Sequence, residues 1–176
     1  MFMKFTELLS LGLVLGCVLP LAGTAHAAES EQTPPLLPME DFFRNPEIGA
    51  FSLSPDGSKL AFVRPWERRM NVYVRDIATG DEKRVTGATE RDIAGFFWKG
   101  NDRIVYMQDK GGDENFHVYL TDIEGTASRD LTPFDDVRAG VLDDLEEDPE
   151  HMLLEMNRRN PEVFDVYRCE LATGEL

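Results

Sequence analysis

From Phe51 onward the chain alternates short apolar runs with polar, glycine-bearing turns, and the alternation comes back at a fixed interval. Lys59-Leu60-Ala61-Phe62-Val63 returns 44 residues later as Arg103-Ile104-Val105-Tyr106-Met107, and more loosely 48 further on as His151-Met152-Leu153-Leu154. Val72-Tyr73-Val74-Arg75-Asp76-Ile77 returns after 46 residues as Val118-Tyr119-Leu120-Thr121-Asp122-Ile123, and after a further 48 as Val166-Tyr167-Arg168-Cys169-Glu170-Leu171. Arg84-Val85-Thr86 is matched by Asp130-Leu131-Thr132, and Ala78-Thr79-Gly80 by Ala172-Thr173-Gly174.

Each unit reads as four short strands. The first carries Phe51 and Leu53, or Phe96 and Phe97, and ends in a turn; in Ser54-Pro55-Asp56-Gly57, Pro and Gly stand where a type I turn favours them. The second is a continuous apolar run. The third alternates β-branched and aromatic residues, and a glycine turn, Thr79-Gly80-Asp81 or Glu124-Gly125, leads to the fourth. Runs that are apolar on both sides need cover on both faces, and four-stranded blades stacked around an axis supply it; a period of about 46 is the propeller signature.

The expected fold is therefore all-β, a partial β-propeller of about two and three quarters blades at 51–90, 91–136 and 137–176, preceded by a linker with a short helical turn at 28–50. Repeated Tyr73, Tyr119 and Tyr167 are read as packing between blades. The connections between second and third strands, Arg64–Asn71, Gln108–Phe116 and Asn157–Asp165, are expected to be long loops at one end of the propeller.

Residues 1–27 are a different object. Lys4 precedes an apolar run from Leu8 to Gly23, and Ala25-His26-Ala27 puts small residues, Ala25 and Ala27, where a signal peptidase reads. The run falls short of the roughly twenty residues of a permanent span. The mature protein is expected to begin at Ala28, leave the membrane, and be periplasmic or secreted. The net charge of −15 argues against nucleic acid as a partner. Cys17 leaves with the signal and Cys169 stands alone, so no intrachain disulfide and no zinc-spaced cluster is expected; neither a cofactor nor a metal is implied. Asp135–Glu150 holds eight acids and one base, without the ligand order of an EF-hand, and reads as a solvated segment.

Several stretches then carry a resemblance. Asn45-Pro46-Glu47, Leu53-Ser54-Pro55-Asp56-Gly57, Val72-Tyr73-Val74, the run from Tyr106 through Gln108-Asp109-Lys110-Gly111-Gly112-Asp113-Glu114-Asn115, and Asp130-Leu131-Thr132-Pro133-Phe134 follow in order along the mature chain. They resemble the amino-terminal propeller of bacterial serine peptidases of the prolyl oligopeptidase family, of the dipeptidyl aminopeptidase or acylaminoacyl peptidase type. The resemblance implies a peptidase whose chemistry resides in a carboxy-terminal α/β-hydrolase domain, with the nucleophile on a Gly-x-Ser-x-Gly elbow. No such pentapeptide occurs here, and no catalytic residue is assigned.

What remains for this chain is a non-catalytic, substrate-gating propeller segment truncated before that domain. Its partners would be peptides and a hydrolase domain or another copy of itself. A stand-alone periplasmic binding or scaffold propeller of TolB type, completing its ring by self-association, is the alternative. Candidate peptide contacts lie in the glycine loop, at Asp113, Glu114 and Asn115. Their acids would attract a peptide amine, as propeller acids do in some relatives; the plainer account is that Asp and Asn satisfy backbone donors in a tight loop.

Overall fold

The computed structural model describes residues 36–44, 47–126 and 128–176; the expected signal segment, with Ala25 and Ala27, lies outside them. The chain divides into two units, residues 1–42 and 43–176. Helix α1 (Met39–Phe43), at the boundary, is a single turn that buries none of its residues. No helix among the described residues is long and apolar enough to cross a membrane.

The second unit is three antiparallel meanders. β1 (Gly49–Leu53), β2 (Lys59–Trp66), β3 (Arg69–Asp76) and β4 (Glu82–Arg84) pair in chain order; so do β5 (Gly95–Lys99), β6 (Arg103–Gln108), β7 (His117–Asp122) and β8 (Ser128–Asp130). The third sheet, β9 (Ala139–Asp143), β10 (His151–Asn160) and β11 (Val163–Glu170), repeats the order with three strands. Sheets stacked face on face in this way form a partial β-propeller.

The strands alternate so that each sheet has one face for each neighbour. Ala61, Val72, Val74 and Val85 of the first sheet meet Trp98, Ile104 and Tyr106 of the second in one core cluster. The opposite face of the second sheet, with Val105, Val118, Leu120 and Leu131, meets Met152, Leu154, Met156 and Cys169 of the third in another. Fully burying side chains of this size stabilises by about 1.5–3 kcal/mol each.

Repetition extends to single hydrogen bonds. Thr86 follows β4 and its hydroxyl accepts the Val72 amide at 2.9 Å; Thr132 follows β8 and accepts the Val118 amide at 3.0 Å. Asp76 and Asp122 end the third strands, and each carboxylate accepts amides of the turn that follows, from Ala78 and Thr79 in one case and Thr126 in the other. The Thr79 amide at Asp76, and the Thr126 hydroxyl with its amide at Asp122, lower both carboxyl pKa values below the ordinary 3.8. The turns need a residue at positive φ, which Gly80 (79°) and Gly125 (65°) supply. At Gly125 a Cβ would come within 3.1 Å of the Arg84–Val85 backbone, so the neighbouring sheet leaves no room there.

Two of the three expected long loops are hairpins. β2 and β3 stay paired out to Trp66↔Arg69, and only Glu67 and Arg68 turn, at φ 48° and 68°. Both central residues at positive φ give the twist a two-residue hairpin needs, so the strands run on through Arg64-Pro65-Trp66 and Arg69-Met70-Asn71 instead of opening into a loop. β10 and β11 likewise remain paired to Asn160↔Val163. Of the three, only the second is a true loop, and it runs from Asp109 to Phe116, since Gln108 still pairs with His117.

Candidate functional site

The β6–β7 loop is held at its base by what lies beneath it. The connection from the first sheet to the second runs through residues 85–94, and the loop grips it. The Gln108 side-chain amide donates to the Arg91 carbonyl at 2.7 Å, and the Ala94 amide to the Met107 carbonyl at 2.9 Å. Arg91 Nε donates to Asp109 Oδ1 at 3.0 Å. Asp109 is only 5% exposed, and its Oδ2 is buried with no hydrogen-bond partner. The Arg91 guanidinium, hydrogen-bonded to the carboxylate, holds the Asp109 pKa below its ordinary range against the opposing effect of burial.

Above this base the loop turns through Gly111 (φ 61°), Gly112 (91°) and Glu114 (61°). Asp113 Oδ1 accepts the Asn115 amide at 3.0 Å, and the Asp113 amide donates to the Lys110 carbonyl. Asp113 and Glu114 are exposed, and Asn115 is half-buried. The three residues thus sit together on one loop, with Asp113 engaged in the turn and Glu114 adding to the negative field on Arg91. A cavity of about 190 Å³ beside the loop is lined by Thr89, Glu90, Arg91, Asp109, Lys110 and Tyr119. Asp109 was not among the sequence candidates. Its burial depends on the path of residues 85–94, which no local spacing announces.

The serines and histidines are engaged elsewhere. Ser58 donates to Asp56 at 2.8 Å, in a turn whose hydrogen bonds hold the Asp56 pKa at about 2. Ser128 Oγ lies 2.5 Å from the Tyr106 hydroxyl. His117, 3% exposed, pairs through Nδ1 with Asp130 at 2.8 Å, and His151 pairs with Asp148 at 3.0 Å. Tyr119 stacks on Tyr106 at 5.0 Å, and burial, with the Asp130 charge second, pushes its pKa up to about 12. No serine among the described residues hydrogen-bonds a histidine. The arrangement can present carboxylates to a ligand. Among the described residues no group of three or more His, Cys, Asp or Glu is placed to hold a metal ion.

No protein-family model matches the chain. It is 35% identical over 141 residues to dipeptidyl aminopeptidase BIII of Pseudoxanthomonas mexicana, across 79% of this chain and 20% of that protein. It is 32% identical over 152 residues to dipeptidyl peptidase family member 6 of Caenorhabditis elegans, across 80% of this chain and 20% of that one. The chain is a propeller segment of prolyl oligopeptidase-family type. The β-propeller domain of the trilobed protease from Pyrococcus furiosus has the same fold, with a TM-score of 0.50 at 16% identity, covering 69% of this chain and 40% of that one. This propeller segment spans about a fifth of the length of the curated relatives it matches.

Proposed function

We propose that the segment screens access to the active site of an exported serine peptidase, admitting short or unfolded peptides to a catalytic α/β-hydrolase part. The observation that carries this reading is the 35% identity to a dipeptidyl aminopeptidase across 79% of the chain. The engagement of Ser58, Ser128, His117 and His151 in separate contacts supports assigning no chemistry to the segment itself. Export rests on the sequence of residues 1–27, whose cleavage after Ala27 would release the protein to the periplasm or medium.

Activity-based labelling of the exported fraction with a fluorophosphonate, followed by peptide mapping, tests this. A labelled polypeptide that begins at Ala28, contains the 51–176 peptides and carries its label outside them is the expected result. Label on Ser58 or Ser128, or recovery of these peptides only in unlabelled material, contradicts it.

A further inference from the structure

A cavity lies between the second and third sheets, away from the β6–β7 loop. It measures about 720 Å³, and its walls include Phe96 and Phe97 of β5, Met107 of β6 and Leu142 of β9. A second space of about 380 Å³ shares Met107, Gly140 and Glu155 with it and ends at Phe116 and Phe164. The two make one groove with aromatic and aliphatic walls, and Glu155 stands where they join.

Glu155 holds that position because of its partner across the ladder. It pairs with Gly140, and a Cβ at residue 140 would come 3.4 Å from the Glu155 carboxylate. The side chain therefore lies flat over the bare glycine. Among the described residues no cation pairs with it and no donor hydrogen-bonds it. Asp143 and Asp144 line the first part of the groove, and Arg138 lines the second, so the polar lining is acidic on the Phe96–Phe97 side of Glu155. Two cations touch residues of the groove. Lys99 is 2% exposed and spends its ammonium on the backbone carbonyls of Asp144, Leu145 and Asp148. Arg138 lies over the Phe116 ring, 5.9 Å from its centroid.

We propose that this groove is a subsite for a lysine or arginine side chain of a peptide, with the aliphatic stem on Phe96, Phe97 and Met107 and the cationic head on Glu155. An apolar trough ending in an unpaired carboxylate matches a side chain that is apolar along its stem and charged at its tip. The inference rests on the peptide-screening reading above and names the peptides that the screen favours.

Calorimetric titration of the full chain with acetyl-Phe-Lys-amide, acetyl-Phe-norleucine-amide and unblocked Phe-norleucine-amide tests it. The lysine peptide should bind about tenfold tighter than the blocked norleucine peptide, the worth of one charge-assisted contact. Glu155→Gln should erase the difference and leave the norleucine affinity unchanged. Gly140→Ala, which displaces the carboxylate without removing it, should shrink the preference severalfold, and thermal melting confirms that both variants fold. Equal binding of the two blocked peptides, or a preference that survives Glu155→Gln, overturns the subsite while leaving the screening reading intact. Tighter binding of the unblocked norleucine peptide than of the lysine peptide overturns it in favour of an amino-terminus reader. Failure of all three peptides to bind overturns the subsite, and counts against peptide screening by this segment as well.

Discussion

The two contacts between sheets close in different ways. Between the first and second sheets the cluster sets Ala61, Val72, Val74, Val85 and Ala88 against the larger Ile93, Trp98, Ile104 and Tyr106, and neutral hydrogen bonds accompany it. Asn71, fully buried, accepts from Thr86 Oγ1 at 3.0 Å and the Ala88 amide at 2.7 Å, and donates to the Ala88 and Arg69 carbonyls. Trp98 Nε1 donates to the Ser52 carbonyl at 3.1 Å, and Thr121 Oγ1 to the Val85 carbonyl at 3.2 Å. Between the second and third sheets the cluster holds Met152, Leu154, Met156 and Leu171, each at most 1% exposed. Fastening there comes from cations on carbonyls: Lys99 on three, Arg103 on Pro149 and Arg129 on Leu171 and Ala172. Both contacts have an apolar core; the first is fastened chiefly by neutral bonds, with the exposed Lys83–Glu124 ion pair beside them, and the second by cations on carbonyls.

That contrast predicts opposite sensitivities. Leu154→Ala should destabilise by about 2–5 kcal/mol, since a fully buried leucine leaves a cavity that rigid neighbours fill only in part. Val72→Ala, removing less volume from the first contact, should cost clearly less in the same urea titration. Asn71→Leu should cost about 3 kcal/mol, because the Ala88 amide and carbonyl are then buried unpaired. Lys99→Met, which keeps the apolar stem and removes a buried charge, should cost less than Asn71→Leu. A reversed order in either pair breaks the comparison.

Acid sharpens it further. The folded-state pKa of Asp109 is depressed, so its stabilisation is complete above the ordinary value of 3.8 and is lost as pH falls below that, through the folded value. Melting temperatures measured from neutral to acid pH should fall less steeply for Asp109→Asn than for the parent chain. The smallest effect is expected at the loop tip. Glu114 sits at φ 61°, where a side chain is strained, so Glu114→Gly should be neutral or stabilise by up to about 1 kcal/mol. A clear loss of stability there would mean that the loop tip is braced by the Glu114 side chain.

Much of the architecture was legible in the sequence because the repeat preserves what the backbone must do. Val72, Val118 and the threonines at 86 and 132 recur in register, and with them the strands, turns and interior faces. The hairpin at Glu67-Arg68 was misread as a loop, since the turn uses two non-glycine residues at positive φ and lacks the usual Asn-Gly signal. Polar seals were illegible for a different reason. One register position holds Asn71, His117 and Asp165, and its side chain finds Ala88, Asp130 and Arg159 respectively. Which partner it meets depends on a neighbouring segment, not on the repeat. The same holds at the candidate site: Asp113 and Glu114 were visible as loop acids, whereas Asp109 and Glu155 owe their surroundings to Arg91 and to Gly140 across the ladder.

Amide-resolved native-state hydrogen exchange tests most directly the central structural claim, that the second sheet is the one shared by both contacts. In a stacked array an element with two partners opens only when both are lost, whereas an outer element opens alone. In residues 28–176 expressed alone, where the first and third sheets each have one partner, the Val105, Val118 and Leu120 amides should therefore exchange more slowly than those of Val72 and Val74 in the first sheet, and of Leu154 and Cys169 in the third. Protection in the second sheet no greater than in its neighbours would contradict the account.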